Sequence, residues 1–442
     1  MPTSLIRGRY VICKAMSRNE AVVIEDGAVF QRDGVIVEVG KHAELAARHR
    51  PDDVLGSPGH VVLPGFVNSH HHIGLTPVQL GTRDYALELW WATRLGTRGV
   101  DPYLDSLYSA FEMIESGVTT VQHLQGWLPG DSEGVASKVA EIMRGYRDIG
   151  MRVCFSYSLR DQNRIAYEAD EAFAARLPPQ LGERLRRHFA SVTMPVEQQF
   201  ALFEGLYRRY NGEPRQRVQL APANLHWCSD RALDMMRECQ ARYHVPVHMH
   251  VLESAYQKEY AYRRSQCTAI EKLHRHGLLG SFMTLGHGVW LTEKDIDLVA
   301  ETGTNICHNA SSNLRLRSGV APVNVYEQKG VKVAIGIDEA GINDDRDMLQ
   351  EIRMVLNLHR TPGMDDSVPT AAQVLRMATE HGAETTGFGR EIGTLEPGKA
   401  ADLVIMNWAQ IAYPFLDLGY DVAPLDAILL RAKAQGVETV LV

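Results

Sequence analysis

The sequence predicts an α/β protein built on a (β/α)8 TIM barrel, with a small β domain formed from both chain ends. Three observations carry that prediction. Eight short apolar, β-branched runs alternate with helical patterns between residues 60 and 387. Four of those runs end in a motif that can bind a metal or move a proton. Residues 10–40 instead read as short strands with hairpin turns at Asp26-Gly27 and Asp33-Gly34, and β-type sequence returns after residue 387. An open doubly wound sheet would need a glycine-rich phosphate turn, which the sequence lacks.

The first barrel strand is the run from His60 to Asn68, which leads into His70-His71-His72. A helix follows over 101–116: Asp101 suits the N-cap, Pro102 the first helical position, and Leu104, Leu107, Phe111 and Ile114 recur at helical spacing before Gly117. The next strands are Val118–Val121, Arg152–Phe155, Val218–Ala221, Val245–His248, Phe282–Leu285, Asn305–Cys307 and Val331–Ile335. The segment from Tyr167 to Pro195 is longer than a plain crossover and predicts an inserted helix over the active face. The expected division is therefore a barrel over 60–387 and a terminal β domain from 1–59 and 388–442.

A chain of 442 residues accommodates a barrel of about 250 residues or more together with such a satellite domain. No apolar run approaches the ~20 residues that span a bilayer, and the first ten residues lack the apolar core of a signal peptide. A cytoplasmic protein with no membrane association is expected. The net charge of -8 carries no basic block, which argues against a nucleic-acid partner and favours a small-molecule substrate. The six cysteines form no C-x-x-C pair and read as structural thiols of a reducing compartment.

In a barrel of this kind the C-terminal strand ends form the active face, so motifs far apart in sequence converge there. His70 and His72 are two apart, so their side chains share a face and can bind one ion, while His71 points elsewhere as a packing residue. At His248-Met249-His250 strand alternation alone does not choose between the two imidazoles. Glu253 selects His250 if the ligand and the proton-transfer group must be neighbours. Asp338 ends a buried apolar strand, a costly place for a carboxylate unless it is paired or metal-bound. His287 lies between Gly286 and Gly288, which permit close approach of a ligand. Glu339 faces away and receives no catalytic role. Three imidazoles and a carboxylate suit Zn²⁺, or Fe²⁺, with one position left for water.

These residues bring a family into view. The chain resembles the amidohydrolase superfamily, in the branch of mononuclear metal-dependent deaminases and chlorohydrolases that includes guanine, cytosine and S-adenosylhomocysteine-type deaminases and triazine hydrolases. Pro64-Gly65-Phe66-Val67-Asn68-Ser69-His70-His71-His72 looks like its opening motif, and His250-x-x-Glu253 looks like its H-x-x-E. Leu395-Glu396-Pro397-Gly398-Lys399-Ala400-Ala401-Asp402-Leu403 is similar to the segment by which such chains re-enter a β-sandwich. The resemblance implies metal ligands His70, His72, His250 and Asp338. It also implies Glu253 as proton donor to a ring nitrogen, Asp338 as base toward water, and His287 as stabiliser of the developing charge.

The strand-four run from Arg217 to Asn224 has no lysine to bridge two metals, so one ion is expected. The H-x-E with P-C-x-x-C signature of zinc base deaminases is missing too. Two departures bear on substrate. Ala223 and Asn224 follow Ala221-Pro222 where many relatives carry histidine, and the familiar H-C-P-x-S-N reads His308-Asn309-Ala310-Ser311-Ser312-Asn313. The chain also stops before the last sandwich strands such proteins carry, which suggests a trimmed sandwich or a truncated chain.

The expected activity is hydrolytic deamination of a small aminated N-heterocycle of purine, pterin or triazine type. The alternative is opening of a cyclic amide, or displacement of chloride or an alkylamine, at the same site. Trp90, Trp91, Trp127, Gln125 and Arg160 follow strands at the pocket mouth and, with Asn313, are the candidate substrate contacts. A homodimer or larger homo-oligomer is expected.

Overall fold

The computed structural model describes residues 2–442 except 73, 127, 129, 365–367 and 417–422. Four strands open the chain: β1 (Thr3–Ala15), β2 (Ala21–Arg32), β3 (Val35–Lys41) and β4 (Asp53–Pro64). Parallel strands follow: β5 (Phe66–His71), β6 (Val118–Gln125), β7 (Arg152–Leu159), β8 (Gln216–Val218), β9 (Ala221–Pro222), β10 (Val247–Val251), β11 (Met283–His287), β12 (Asn305–His308) and β13 (Val333–Ile335). Two more, β14 (Leu403–Asn407) and β15 (Val437–Leu441), return to the terminal region.

The terminal strands form one six-stranded mixed sheet in the order β15-β14-β4-β1-β2-β3. Both its faces are apolar: Leu5, Ala28 and Phe30 pack on Leu45 of the helix His42–Arg48, and Ile6, Val29 and Val62 pack with Leu395 and Leu403 on the other side. The division read at residues 59/60 falls inside β4.

The central parallel strands pair as β5-β6-β7-β8, with β9 also on β7, and as β10-β11-β12-β13. Single bridges at Leu220–Val247 and Asn224–His250 join the two groups on one side. On the other, the Asp338 N–H donates to the His70 carbonyl at 2.8 Å, and the Ile337 N–H donates to Asn68 Oδ1 at 3.0 Å. Gly336 makes that approach possible, because a Cβ there would lie 2.5 Å from His70 Cβ and 2.4 Å from Asn309 Oδ1.

Strand alternation decides what each strand shows the centre. In β10 Val247, Met249 and Val251 are buried in the apolar layer under the helices, which leaves His248 and His250 on the opposite face. The helix Pro102–Glu115 forms as expected, with the Asp101 side chain accepting from the Leu104 N–H at 3.0 Å. The inserted segment holds two helices, Asp170–Ala175 and Pro179–Val192, where one was expected; Arg176, Leu177 and Pro178 separate them. The fourth strand is split because the Gln219 N–H turns to Phe155 of β7 while the Leu220 N–H turns to Pro246 before β10.

One buried ion pair ties the terminal sheet to the parallel strands. Arg152, at the start of β7, donates through Nε and Nη2 to both carboxylate oxygens of Asp402 at 2.7 and 3.0 Å. Removing one partner strands the other charge out of water, so Asp402→Ala is expected to cost about 3–5 kcal/mol. Urea unfolding followed by circular dichroism measures it; an unshifted midpoint would show that the pair is dispensable.

Candidate metal centre

His70 is the penultimate residue of β5 and His72 follows the strand; both rings turn toward β10. His72 Nε2 lies 3.1 Å from His70 Nε2 and 3.0 Å from His250 Nε2. Asp338 Oδ1 completes the group at 3.5 Å from His70 Nε2 and 3.4 Å from His72 Nε2. The outer nitrogens of two rings are fixed: His72 Nδ1 donates to the Leu124 carbonyl at 2.8 Å and His250 Nδ1 to the Ala223 carbonyl at 2.7 Å. With the proton on Nδ1, each of these two Nε2 atoms keeps its lone pair aimed at the group, an arrangement that a bound cation resolves. Burial reinforces it, pushing His70 down to about 3 and holding His250 well below the ordinary imidazole range. The donor set fits one divalent ion.

His287, Glu253 and Asp338 stand beside this group. His287 Nε2 is 3.8 Å from Glu253 Oε2 and 3.9 Å from Asp338 Oδ2. His287 and Asp338 both take left-handed backbone, with φ of 72° and 64°, as does Leu252 just before Glu253, with φ of 53°. Strained non-glycine residues of this kind persist only where the surroundings hold them. Here Arg346, fully buried, donates to the carbonyls of Asp338 and Glu339 at 3.3 and 3.0 Å. Burial pushes the Glu253 carboxyl up to about 7; His287 opposes the rise, and the charges of Asp338 and Glu88 add to it. Near neutral pH this group can both hold and release a proton.

The remaining expected residues occupy different surroundings. His71 turns toward the helix Pro102–Glu115 and meets Ser109 Oγ at 2.7 Å, and His248 lies behind His70. Asn313 sits under His287, its Oδ1 2.8 Å from His287 Nδ1, and is 1% exposed. Gln125 Oε1 is 3.0 Å from His123 Nε2. Trp90 packs against Leu316 and Ala340, while its neighbour Trp91 faces Trp227 with ring centroids 5.0 Å apart. The Arg160 guanidinium lies over the Trp227 ring at 4.8 Å. Trp127 lies outside the described residues. The Glu339 carboxylate is held by Arg94.

Three residues that sequence reasoning passed over complete the surroundings. The Ser312 hydroxyl donates to Asp338 Oδ2 at 2.6 Å, and Ser318 Oγ is 3.4 Å from Glu253 Oε1. Glu88 Oε1, on the helix Leu87–Arg94, accepts from Tyr167 of the inserted segment at 2.9 Å and from Ser254 at 2.5 Å, drawing three chain segments together beside Glu253. The Ser311-Ser312-Asn313 run was a signal for the first; nothing local marked Glu88.

A site of this composition on parallel strand ends defines a metal-dependent hydrolase, and comparison with known proteins agrees. The model of the amidohydrolase family matches residues 61–441, and the chain belongs to that family. It is 30% identical over 418 residues to a 5-methylthioadenosine/S-adenosylhomocysteine deaminase of Syntrophobacter fumaroxidans, covering 93% of this chain and 86% of that one. It is 28% identical over 404 residues to a 5'-deoxyadenosine deaminase of Methanothermobacter thermautotrophicus, covering 88% and 85%. Among solved structures, an adenosine deaminase from Xanthomonas campestris with bound zinc superposes with a TM-score of 0.79 at 26% identity, covering 99% of this chain and 91% of that one.

Proposed function

We propose that this protein is a zinc-dependent aminohydrolase that releases ammonia from an aminated N-heterocycle, and that the ring is the purine of an adenosine-type compound. The observation that carries the reading is the placement of Glu253 and His287 beside three converging imidazoles and Asp338. The deaminase relatives, which act on C–N bonds of cyclic amidines, narrow it to the purine.

His70, His72, His250 and Asp338 hold the ion. When bound, a divalent metal brings the pKa of water down to about 7 and so supplies hydroxide at neutral pH. Asp338 takes the proton of the attacking water, and Ser312 steadies its other oxygen. Glu253 delivers a proton to the ring nitrogen, making the adjacent carbon electrophilic. The proton that Asp338 took from water then goes to the departing amine, and the remaining hydroxyl proton returns to Glu253 as the carbonyl forms. His287, oriented by Asn313, stabilises the charge that builds during attack. Trp91 and Trp227, tilted by 47° to one another, form with Arg160 an aromatic wall against which a planar ring can pack.

Metal-analysed protein assayed for ammonia release with adenosine-type compounds, aminopurines, pterins and triazines tests the reading. Release from a purine is expected. Silence across that panel, with opening of a hydantoin or a lactam, would overturn it. Arg160→Ala is expected to raise KM more than it lowers kcat, because the wall acts on the bound ring rather than on the reacting carbon. Steady-state kinetics on the best substrate decide; an unchanged KM would remove Arg160 from the pocket.

The same reading takes 60–387 as a closed (β/α)8 barrel, supported by the hydrogen bonds that join β5 to the end of β13, and takes 1–59 with 388–442 as a small β-sandwich. A cytoplasmic location is supported by six cysteines that are all buried and unpaired. Among the described residues no helix is long and apolar enough to cross a membrane. Self-association is supported by the outward face of the helix Pro102–Glu115, where Leu104, Tyr108 and Phe111 are exposed at helical spacing.

A further inference from the structure

We infer that His248, behind the metal ligands, is a positioning residue that decides whether His70 can bind the ion. The inference rests on the ligand set proposed above. His72 and His250 have no choice of tautomer, because each Nδ1 meets a backbone carbonyl, which can only accept. His70 is different. Its Nδ1 lies 2.8 Å from His248 Nε2, a ring nitrogen that can donate or accept.

Two arrangements of that contact exist, and they have opposite consequences. If His248 Nε2–H donates, His70 carries its proton on Nε2, and its ligating lone pair is gone. If His70 Nδ1–H donates, Nε2 is free to bind, and His248 must carry its own proton on Nδ1. The two arrangements hold the same number of protons, so the choice is one of tautomer and not of charge. In both, His248 Nδ1 has no hydrogen-bond partner among the described residues and the residue is 1% exposed; the second arrangement makes that buried atom an N–H donor. Ion binding and the His248 tautomer are therefore coupled, whereas the other two imidazoles are set in advance by the backbone.

The sequence makes room for this contact. Gly286 of β11 faces the pair, and a Cβ there would lie 3.2 Å from both His248 Nε2 and His70 Nδ1. The rings cross at 58° with centroids 4.8 Å apart, an in-plane hydrogen-bonding approach rather than a stack. Val247 and Met249, buried on the helix side, hold His248 on the inner face of β10.

The test uses the whole protein labelled with ¹⁵N-histidine and loaded with ¹¹³Cd²⁺, alongside the variants H248F and H248Q. Direct cadmium–nitrogen coupling is expected at Nε2 of His70, His72 and His250, with His70 Nδ1 and His248 Nδ1 protonated and His248 Nε2 bare. H248F, which removes the acceptor, is expected to raise the zinc dissociation constant by about 10–100-fold in chelator competition. H248Q, whose side-chain oxygen can accept in place of Nε2, is expected to restore most of that affinity. A protonated His248 Nε2 in the loaded wild-type protein overturns the inference, whether or not the variants fold. So does a folded H248F that binds zinc as tightly as wild type. Coupling to His248 in place of His250 overturns the ligand assignment itself, and that spectrum is distinct from either of the other two failures.

Discussion

Alanine at His72 or at His250 is expected to strip the protein of its metal and to lower turnover by roughly 10³-fold or more, since water without the ion is far too weak an acid to supply hydroxide at neutral pH. His70→Ala and Asp338→Ala should follow the same course. The geometry explains why the losses come together: His72 Nε2 is within 3.4 Å of His70, His250 and Asp338 alike, so one missing donor opens the shell for the others. Elemental analysis of purified variants beside ammonia-release rates is the measurement. Full metal in His250→Ala together with loss of metal in His248→Ala would show that the wrong histidine of β10 had been chosen.

Glu253→Gln should separate binding from chemistry. The amide keeps the shape and the contact with Ser318 but cannot carry a proton, so metal content should stay at the wild-type level while kcat falls by about 10²-fold or more. The position of the carboxyl explains the size of the effect. Burial brings Glu253 to about 7, where it exchanges a proton with least penalty at neutral pH, and its Oε2 lies 3.8 Å from His287 Nε2. A variant with undiminished turnover would remove Glu253 from the mechanism.

Much of this site was legible from residues alone, and the reasons are physical. The two-residue spacing of His70 and His72 encodes a shared strand face, and Asp338 advertised itself as a carboxylate at a buried strand end. His248 against His250 was not decidable from alternation, because both rings lie on the same face. What distinguishes them is whether Nδ1 meets the Ala223 carbonyl or an orphan environment, a three-dimensional fact. Asn313 read as a candidate substrate contact, and the fold sets it beneath His287, since the short helix Ala310–Arg315 turns it inward. The split of the fourth strand escaped because an unbroken apolar run does not say which neighbour each N–H will choose. The two tryptophans at 90 and 91 looked alike in sequence, yet the helix Leu87–Arg94 points one into a small core and the other toward Trp227.

The junction where the Asn68 side chain receives the Ile337 N–H bears on how the protein is made. The two residues are 269 positions apart, and His70 and Asp338 lie just beyond them. Closing so long a loop is slow and comes late in folding, after contacts between nearby strands have formed. A nascent chain emerging from the ribosome would thus expose His70 and His72 well before Asp338 is synthesised, and could offer an ion no more than a partial set of donors. Acquisition of zinc should therefore coincide with the final closure of the chain, so that the rate of metal uptake during refolding reports the last step of assembly rather than the first.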